Sequence, residues 1–179
     1  AVAEAHPELA ELLPAMTPPP LISVGDKLYE QSIRDAILRK SVHRDYLRVR
    51  MPKFNLSDEQ LQTLVDYFVY SDRVPPQSDD QLPPATDPIA LHTVGSRLVT
   101  TDGFGCTSCH QLGSVQPTKA PLNARGPNLT LLAKRMRREW FERFVRHPLR
   151  VIPRMEMPSV QVALRGILND DLDTQLAAV

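Results

Sequence analysis

Cys106, Cys109 and His110 stand together in GFGCTSCHQLG, residues 103–113, and these are the chain's 2 cysteines. Two thiols three residues apart on a tight helical turn reach the two vinyl groups along one porphyrin edge and form thioethers. The next residue then lies under the ring, where its imidazole binds iron. The C-x-x-C-H pattern therefore predicts covalent attachment of c-type haem, with Cys106 and Cys109 as anchors and His110 as the proximal ligand. Three plainer readings compete. A structural zinc site wants four Cys or His ligands, and the sequence has no second C-x-x-C and no H-x3-H. A thioredoxin-like redox pair expects a preceding strand, whereas the residues before Cys106 read as helix. A plain disulfide has no use for His110.

Two segments downstream extend the pattern, GPNL at 126–129 and RMEMPSV at 154–160. With them the chain resembles the class I cytochrome c family, in which C-x-x-C-H comes early, a Gly-Pro-x-Leu segment follows, and a Met-Pro loop precedes the last helix. The resemblance implies an all-α fold of cytochrome c-like helical domains around covalently bound haem. It implies that Pro127 offers its carbonyl to the Nδ1–H of His110, fixing the tautomer. It also implies that Met157 gives its thioether to the iron, since Met157 and not Met155 is followed by proline. His/Met ligation raises the haem potential and closes the iron to outside ligands.

These residues need helices to hold them. DPIALHTVGSRLV, 87–99, opens with Asp87 as a cap and Pro88 at the first helical position, and carries Leu91, Val94, Leu98 and Val99 on one face. Gly95 lies on that face at a cost of about 1 kcal/mol against alanine. In the resembled family the first and last helices cross closely, and a small residue at the contact lets them approach. A second helix is expected over 136–148, with Met136, Trp140, Phe141, Phe144 and Val145 as its apolar face and Pro148 at its end. It is strongly basic: Lys134, Arg135, Arg137, Arg138, Arg143, Arg146, Arg150 and Arg154 stand against Glu139 and Glu142. That face is read as a docking patch for an acidic partner, as cations near haem propionates, or as an ordinary solvated surface. His43, His92 and His147 each stand alone and read as surface or core histidines.

The front of the chain repeats the back. Residues 20–54 lie over 128–160, setting Leu21 on Leu129, Leu28 on Met136 and Ile33 on Phe141. A two-residue offset then puts Met51-Pro52 on Met157-Pro158. LSDEQLQTLVDYFVYSD follows, with Ser57 and Gln60 as a capping box and Leu61, Leu64, Val65, Phe68 and Val69 as a buried stripe. The front copy has no C-x-x-C-H, and a gapped register sets VAEAH, 2–6, opposite CTSCH. Either His6 is a remnant that with Met51 serves a second haem, or the attachment motif lies upstream of Ala1. The closing helix, begun in NDDLDTQLAAV with Leu172 and Leu176 inward, stops short of its counterpart. Both ends thus read as cut, which predicts a piece of a larger multidomain protein.

RVPPQSDDQLPPATDP, 73–88, is proline-rich and acidic without apolar periodicity, a semi-stiff linker. The organisation expected is an incomplete or degenerate cytochrome c-like unit over 1–74, a linker over 75–86 and a haem-bearing unit over 87–179. Lysine plus arginine equals aspartate plus glutamate at 21 each, so no global field recruits nucleic acid. No apolar run is long enough to span a bilayer. One-electron transfer through one haem c, with a second haem in the front unit as the further case, is the function expected. Its partners would be redox proteins or other chains of a multihaem complex. Thioether attachment implies maturation outside the cytoplasm, hence a periplasmic or otherwise exported bacterial protein. The rivals are a haem enzyme or gas sensor with an open sixth position, and a structural subunit of a multihaem assembly.

Overall fold

The structure, a computed structural model, describes residues 2–10, 20–42, 44, 50–74, 88–121, 124–152 and 156–179. Among these residues it is helical, with three isolated β-bridges and no strand. The expected linker at 75–86, the Asp87 cap, His43, Arg154 and Met155 lie outside the described residues. No described helix is long and apolar enough to cross a membrane.

The helices in chain order are α1 (Val2–Ala5), α2 (Val24–Lys27), α3 (Glu30–Ile37), α4 (Asp58–Ser71), α5 (Pro88–Leu98), α6 (Leu132–Arg135), α7 (Arg138–Arg146), α8 (Pro148–Val151) and α9 (Leu172–Ala178). The longest, α4, starts where its sequence says it must. Ser57 Oγ accepts from the Gln60 amide at 3.2 Å, and Gln60 Oε1 accepts from the Ser57 amide at 2.9 Å. Two of the orphan amide groups of the first turn are thereby satisfied. Leu61 and Val65 are buried, and Leu64 and Phe68 pack beside them.

Helix α3 lays Ile33 and Ile37 on this stripe, α2 adds Val24, and with α4 they form the front cluster. In the back half α5 crosses α9 at Gly95. A Cβ there would stand 1.9 Å from the Ala178 carbonyl oxygen, so only hydrogen fits. Leu176 of α9 joins Met136, Trp140, Phe144 and Val145 in the second cluster, with Leu172 at its edge. Asp171 caps α9 by accepting from the Thr174 amide at 2.8 Å.

The repeat is visible element by element. Helix α2, an extended Leu28, Tyr29 as N-cap and α3 correspond to α6, an extended Met136, Arg137 as N-cap and α7. The two copies also meet at equivalent residues. Leu28 and Met136 form an antiparallel bridge. The Tyr29 amide donates to Arg135 O at 3.0 Å, and the Arg137 amide donates to Lys27 O at 3.0 Å. Ser32 Oγ donates to Lys134 O at 2.9 Å. Leu28 packs on both apolar clusters, so the halves share a core boundary.

This seam corrects the helix expected over 136–148. It begins two residues later, at Arg138, because Met136 and Arg137 are extended to pair with the front half. It closes at Arg146, and Pro148 opens α8.

The basic face of α7 is largely neutralised from within. Arg137 donates to Gly25 O at 3.1 Å and to Glu30 at 2.9 Å, Arg138 pairs with Glu142 at 2.8 Å, and Arg143 grips both Asp26 oxygens at 2.7 Å. Arg146 meets Asp173. Four of the basic residues expected to form the patch thus have acidic partners within the chain.

Candidate functional site

Helix α5 ends at Leu98 and delivers the chain into the turn that carries the cysteines. The Phe104 amide donates to Leu98 O at 2.7 Å and the Thr107 amide to Val99 O at 2.9 Å, tying the turn to the helix end. Leu98 and Val99 are buried, so this anchor is apolar as well as hydrogen-bonded. Cys106–Ser108 form one turn of 3-10 helix. The Cys109 and His110 amides both return to Cys106 O, at 3.1 and 2.9 Å. Both thiols and the imidazole thus issue from one hydrogen-bonded turn.

Segment 126–129 runs alongside. The Gly126 amide donates to Cys109 O at 2.9 Å, and the Leu129 amide donates to Gln111 O at 2.8 Å, with His110 and Gly126 in a parallel bridge. This ladder brings Pro127 O within 2.8 Å of His110 Nδ1. A carbonyl can only accept, so Nδ1 carries the proton and Nε2 keeps its lone pair. Burial is the main cause holding the imidazole below the usual histidine range, and the charge of Arg44 adds to it. The ring is therefore a neutral donor with one nitrogen committed and the other free to bind a metal.

Gly126 is the residue that sequence reasoning overlooked, although it stands in the quoted GPNL. A Cβ on it would lie 2.2 Å from the His110 ring. The imidazole lies directly over its backbone, and no side chain can share that space. Gly126→Ala is expected to push the ring off Pro127 and cost about 1–3 kcal/mol in stability, as overpacking does. A thermal melt, with the His110 ring proton followed by NMR, checks it; an unmoved melting temperature and ring signal would contradict this packing.

The two thiols are not disulfide-bonded. Burial pushes the Cys106 thiol above its usual range. A redox C-x-x-C needs a depressed thiol pKa to supply a thiolate, and Cys106 has the opposite environment. Among the described residues no three His, Cys, Asp or Glu side chains gather as a metal site would require. That leaves zinc without a protein-only site there.

Met157 is half-buried at the edge of the cluster formed by Met136, Trp140, Phe144, Val145 and Leu176. Its loop is held to α7 by the Val160 amide, which donates to Val145 O at 2.8 Å. Trp140, 3% exposed, stacks on Phe144 at 4.6 Å between centroids, and Lys27 Nζ lies 4.7 Å over its ring. The front-half candidates are placed differently. His6 is exposed and its Nδ1 lies 3.2 Å from Glu8. Met51 is 44% exposed and belongs to neither apolar cluster. His92 and His147 are exposed as well, the latter beside Gln161 Nε2 at 3.3 Å.

The thiol pair and the tautomer-fixed imidazole thus issue from one turn, while Met157, like Phe104 ahead of that turn, packs on the back cluster. Compared with protein-family models, with curated proteins and with solved structures, the chain finds no match.

Proposed function

We propose that the chain is an electron-transfer protein that holds a c-type haem covalently through Cys106 and Cys109, with His110 and Met157 as axial ligands. The observation that carries this reading is the His110 Nδ1–Pro127 O bond at 2.8 Å, beside a turn that presents both thiols. Metal-binding histidines are oriented in this way by a partner on the second nitrogen. The half-buried Arg135 is consistent with an anionic group nearby: its Nε is buried and has no hydrogen-bond partner among the described residues.

When bound, the haem supplies a one-electron couple. The chain's own residues do the rest. Cys106 and Cys109 tether the porphyrin, Pro127 keeps the ring proton on Nδ1, and His110 presents Nε2. Trp140, Phe144 and Leu176 keep water from one side of the site and lower the local dielectric. Met157 supplies a soft thioether, which favours the reduced metal. Thioether attachment would occur outside the cytoplasm, so the proposal carries with it a periplasmic or otherwise exported protein working among redox partners or in a multihaem complex.

A pyridine haemochrome assay set against protein mass tests the reading, with one haem per chain expected. None sinks it, and two assign a second haem to the front half, where His6 and Met51 are the candidates. Met157→Ala should leave the haem attached but lower its potential by at least about 59 mV, tenfold in the equilibrium constant. It should also let carbon monoxide bind the reduced protein. An unchanged potential moves the axial role to Met155 or elsewhere.

A further inference from the structure

Gln175 of α9 is 0% exposed, and its side-chain amide is committed to the chain that follows Met157. Its Nε2 donates to Leu164 O at 2.7 Å and to Ile167 O at 2.8 Å, and its Oε1 accepts from the Leu164 amide at 2.9 Å. Both donors are used, so the buried amide is satisfied, and by one segment alone. Leu176, the next residue, belongs to the cluster on which Met157 packs. Helix α9 thus reaches the far end of the methionine loop through Gln175 while helping to form the surface on which Met157 rests.

The repeat shows that the fold does not need an amide at this place. Ser57 caps α4 and Asp171 caps α9. Four residues on, the Leu61 amide donates to Ser57 O at 2.9 Å and the Gln175 amide to Asp171 O at 3.0 Å, so Leu61 and Gln175 are equivalent. Leu61, 4% exposed, is ordinary core. A buried leucine gains by leaving water, whereas a buried amide must first recover the bonds it gave up. Glutamine at 175 is therefore explained by the loop and not by the packing of α9. The loops differ in the same sense: Met157 is half-buried and packs on the back cluster, while Met51 is 44% exposed and belongs to neither cluster. The back loop also contains a turn that a loose segment would leave. Leu168, Asn169 and Asp170 have φ of 46, 58 and 59°, left-handed values that L residues rarely adopt in succession. Gln175 closes the loop just before this turn, as the Val160 amide on Val145 O closes it nearer Met157.

We propose that Gln175 is a positioning residue: it holds the segment after Met157 against α9 and thereby fixes the loop that carries the thioether. The proposal takes Met157 as the axial ligand and so rests on the haem reading above. A neutral thioether holds a metal through one soft bond, so the time it spends bound depends on how little freedom its loop keeps when released. With Gln175 in place the loop is tied at Val160 and again at Leu164 and Ile167. Without it the stretch beyond Val160 gains conformations, and the unbound state gains with it.

The test uses the full haem-loaded chain with Gln175→Leu, the residue type of the equivalent position, and Gln175→Met, which keeps the length without the polar atoms. Loss of three neutral hydrogen bonds should raise the share of chains with Met157 off the iron at least about tenfold. The oxidised protein should lose part of its sulfur-to-iron charge-transfer band, its potential should fall, and the reduced protein should bind carbon monoxide more readily. Met157→Ala sets the limit of each change. A readout that does not use the haem is amide hydrogen exchange: the Leu164 amide should exchange at least about tenfold faster, while the amides of α9 exchange as in the parent. Circular dichroism checks the fold, and Gln175→Met carries the expectation if Gln175→Leu does not fold. Folded variants with an unchanged band, potential and carbon monoxide binding overturn the proposal. Faster exchange throughout α9, or failure of both variants to fold, makes Gln175 a support of the helix and also overturns it. A preparation without haem removes the haem reading and this proposal together. A potential that follows Met157→Ala but neither Gln175 variant removes only this proposal.

Discussion

On the proposed reading, replacing Cys106 and Cys109 together by alanine is expected to abolish haem staining of the chain on a denaturing gel. The expected loss is complete, because denaturation breaks every contact except the thioethers. His110 and Met157 would still offer two ligands in the folded protein, so native preparations keep part of their colour while the denatured chain keeps none. Either cysteine replaced alone should leave one thioether and a stained band. Persistent staining of the double variant would mean that haem is attached elsewhere or that the turn at Cys106–Ser108 serves another chemistry. The experiment addresses the anchor alone: the backbone bonds that tie the turn to Leu98 and Val99 do not involve the sulfur atoms.

Trp140→Ala should be the most destabilising single change. The indole is 3% exposed, stacks on Phe144 with 14° between planes, and underlies Lys27 Nζ. Removing a buried aromatic of this size costs about 3–5 kcal/mol in lost transfer energy and cavity. Against a total stability of about 5–15 kcal/mol that is a large share. A chain of this length loses roughly 2–4 °C per kcal/mol, so its melting temperature should fall by roughly 6–20 °C. The loss should be felt in both halves, since Leu28 of the front half packs on the same cluster. A drop of less than about 1 kcal/mol would show that the site collapses around the gap and that Trp140 is not its keystone.

Local chemistry was legible in the sequence, and its long-range consequences were not. The Ser57–Gln60 box is a four-residue code and stands as written. The face of α5 could be read from spacing, because helix contacts repeat with the helix period, whereas the small residue at its crossing with α9 was expected from the resemblance. The start of α7 could not. Met136 continues the apolar period of Trp140 and Phe144, and nothing local reveals that Leu28 draws it into an extended pair. The same blindness affected the arginines: Asp26 and Glu30, which neutralise Arg143 and Arg137, lie more than a hundred positions away. Of the candidate site, the residue types and their order were plain. The place of Gly126 under the imidazole needed coordinates, since a glycine before a proline is ordinarily just a turn.

The bridge between Leu28 and Met136 has one more consequence. When duplicated segments touch through their own counterparts, the contact obeys the rule of a two-fold dimer, in which a patch must complement itself. Joining both copies in one polypeptide lifts that rule. A change on one side no longer has to appear on the other, so bulk can accumulate where its mirror position stays small. Trp140 opposite to the role of Ser32 is such a divergence, as is arginine at 137 where the other copy has Tyr29. Fusion thereby turns a symmetric contact into one whose two sides can diverge.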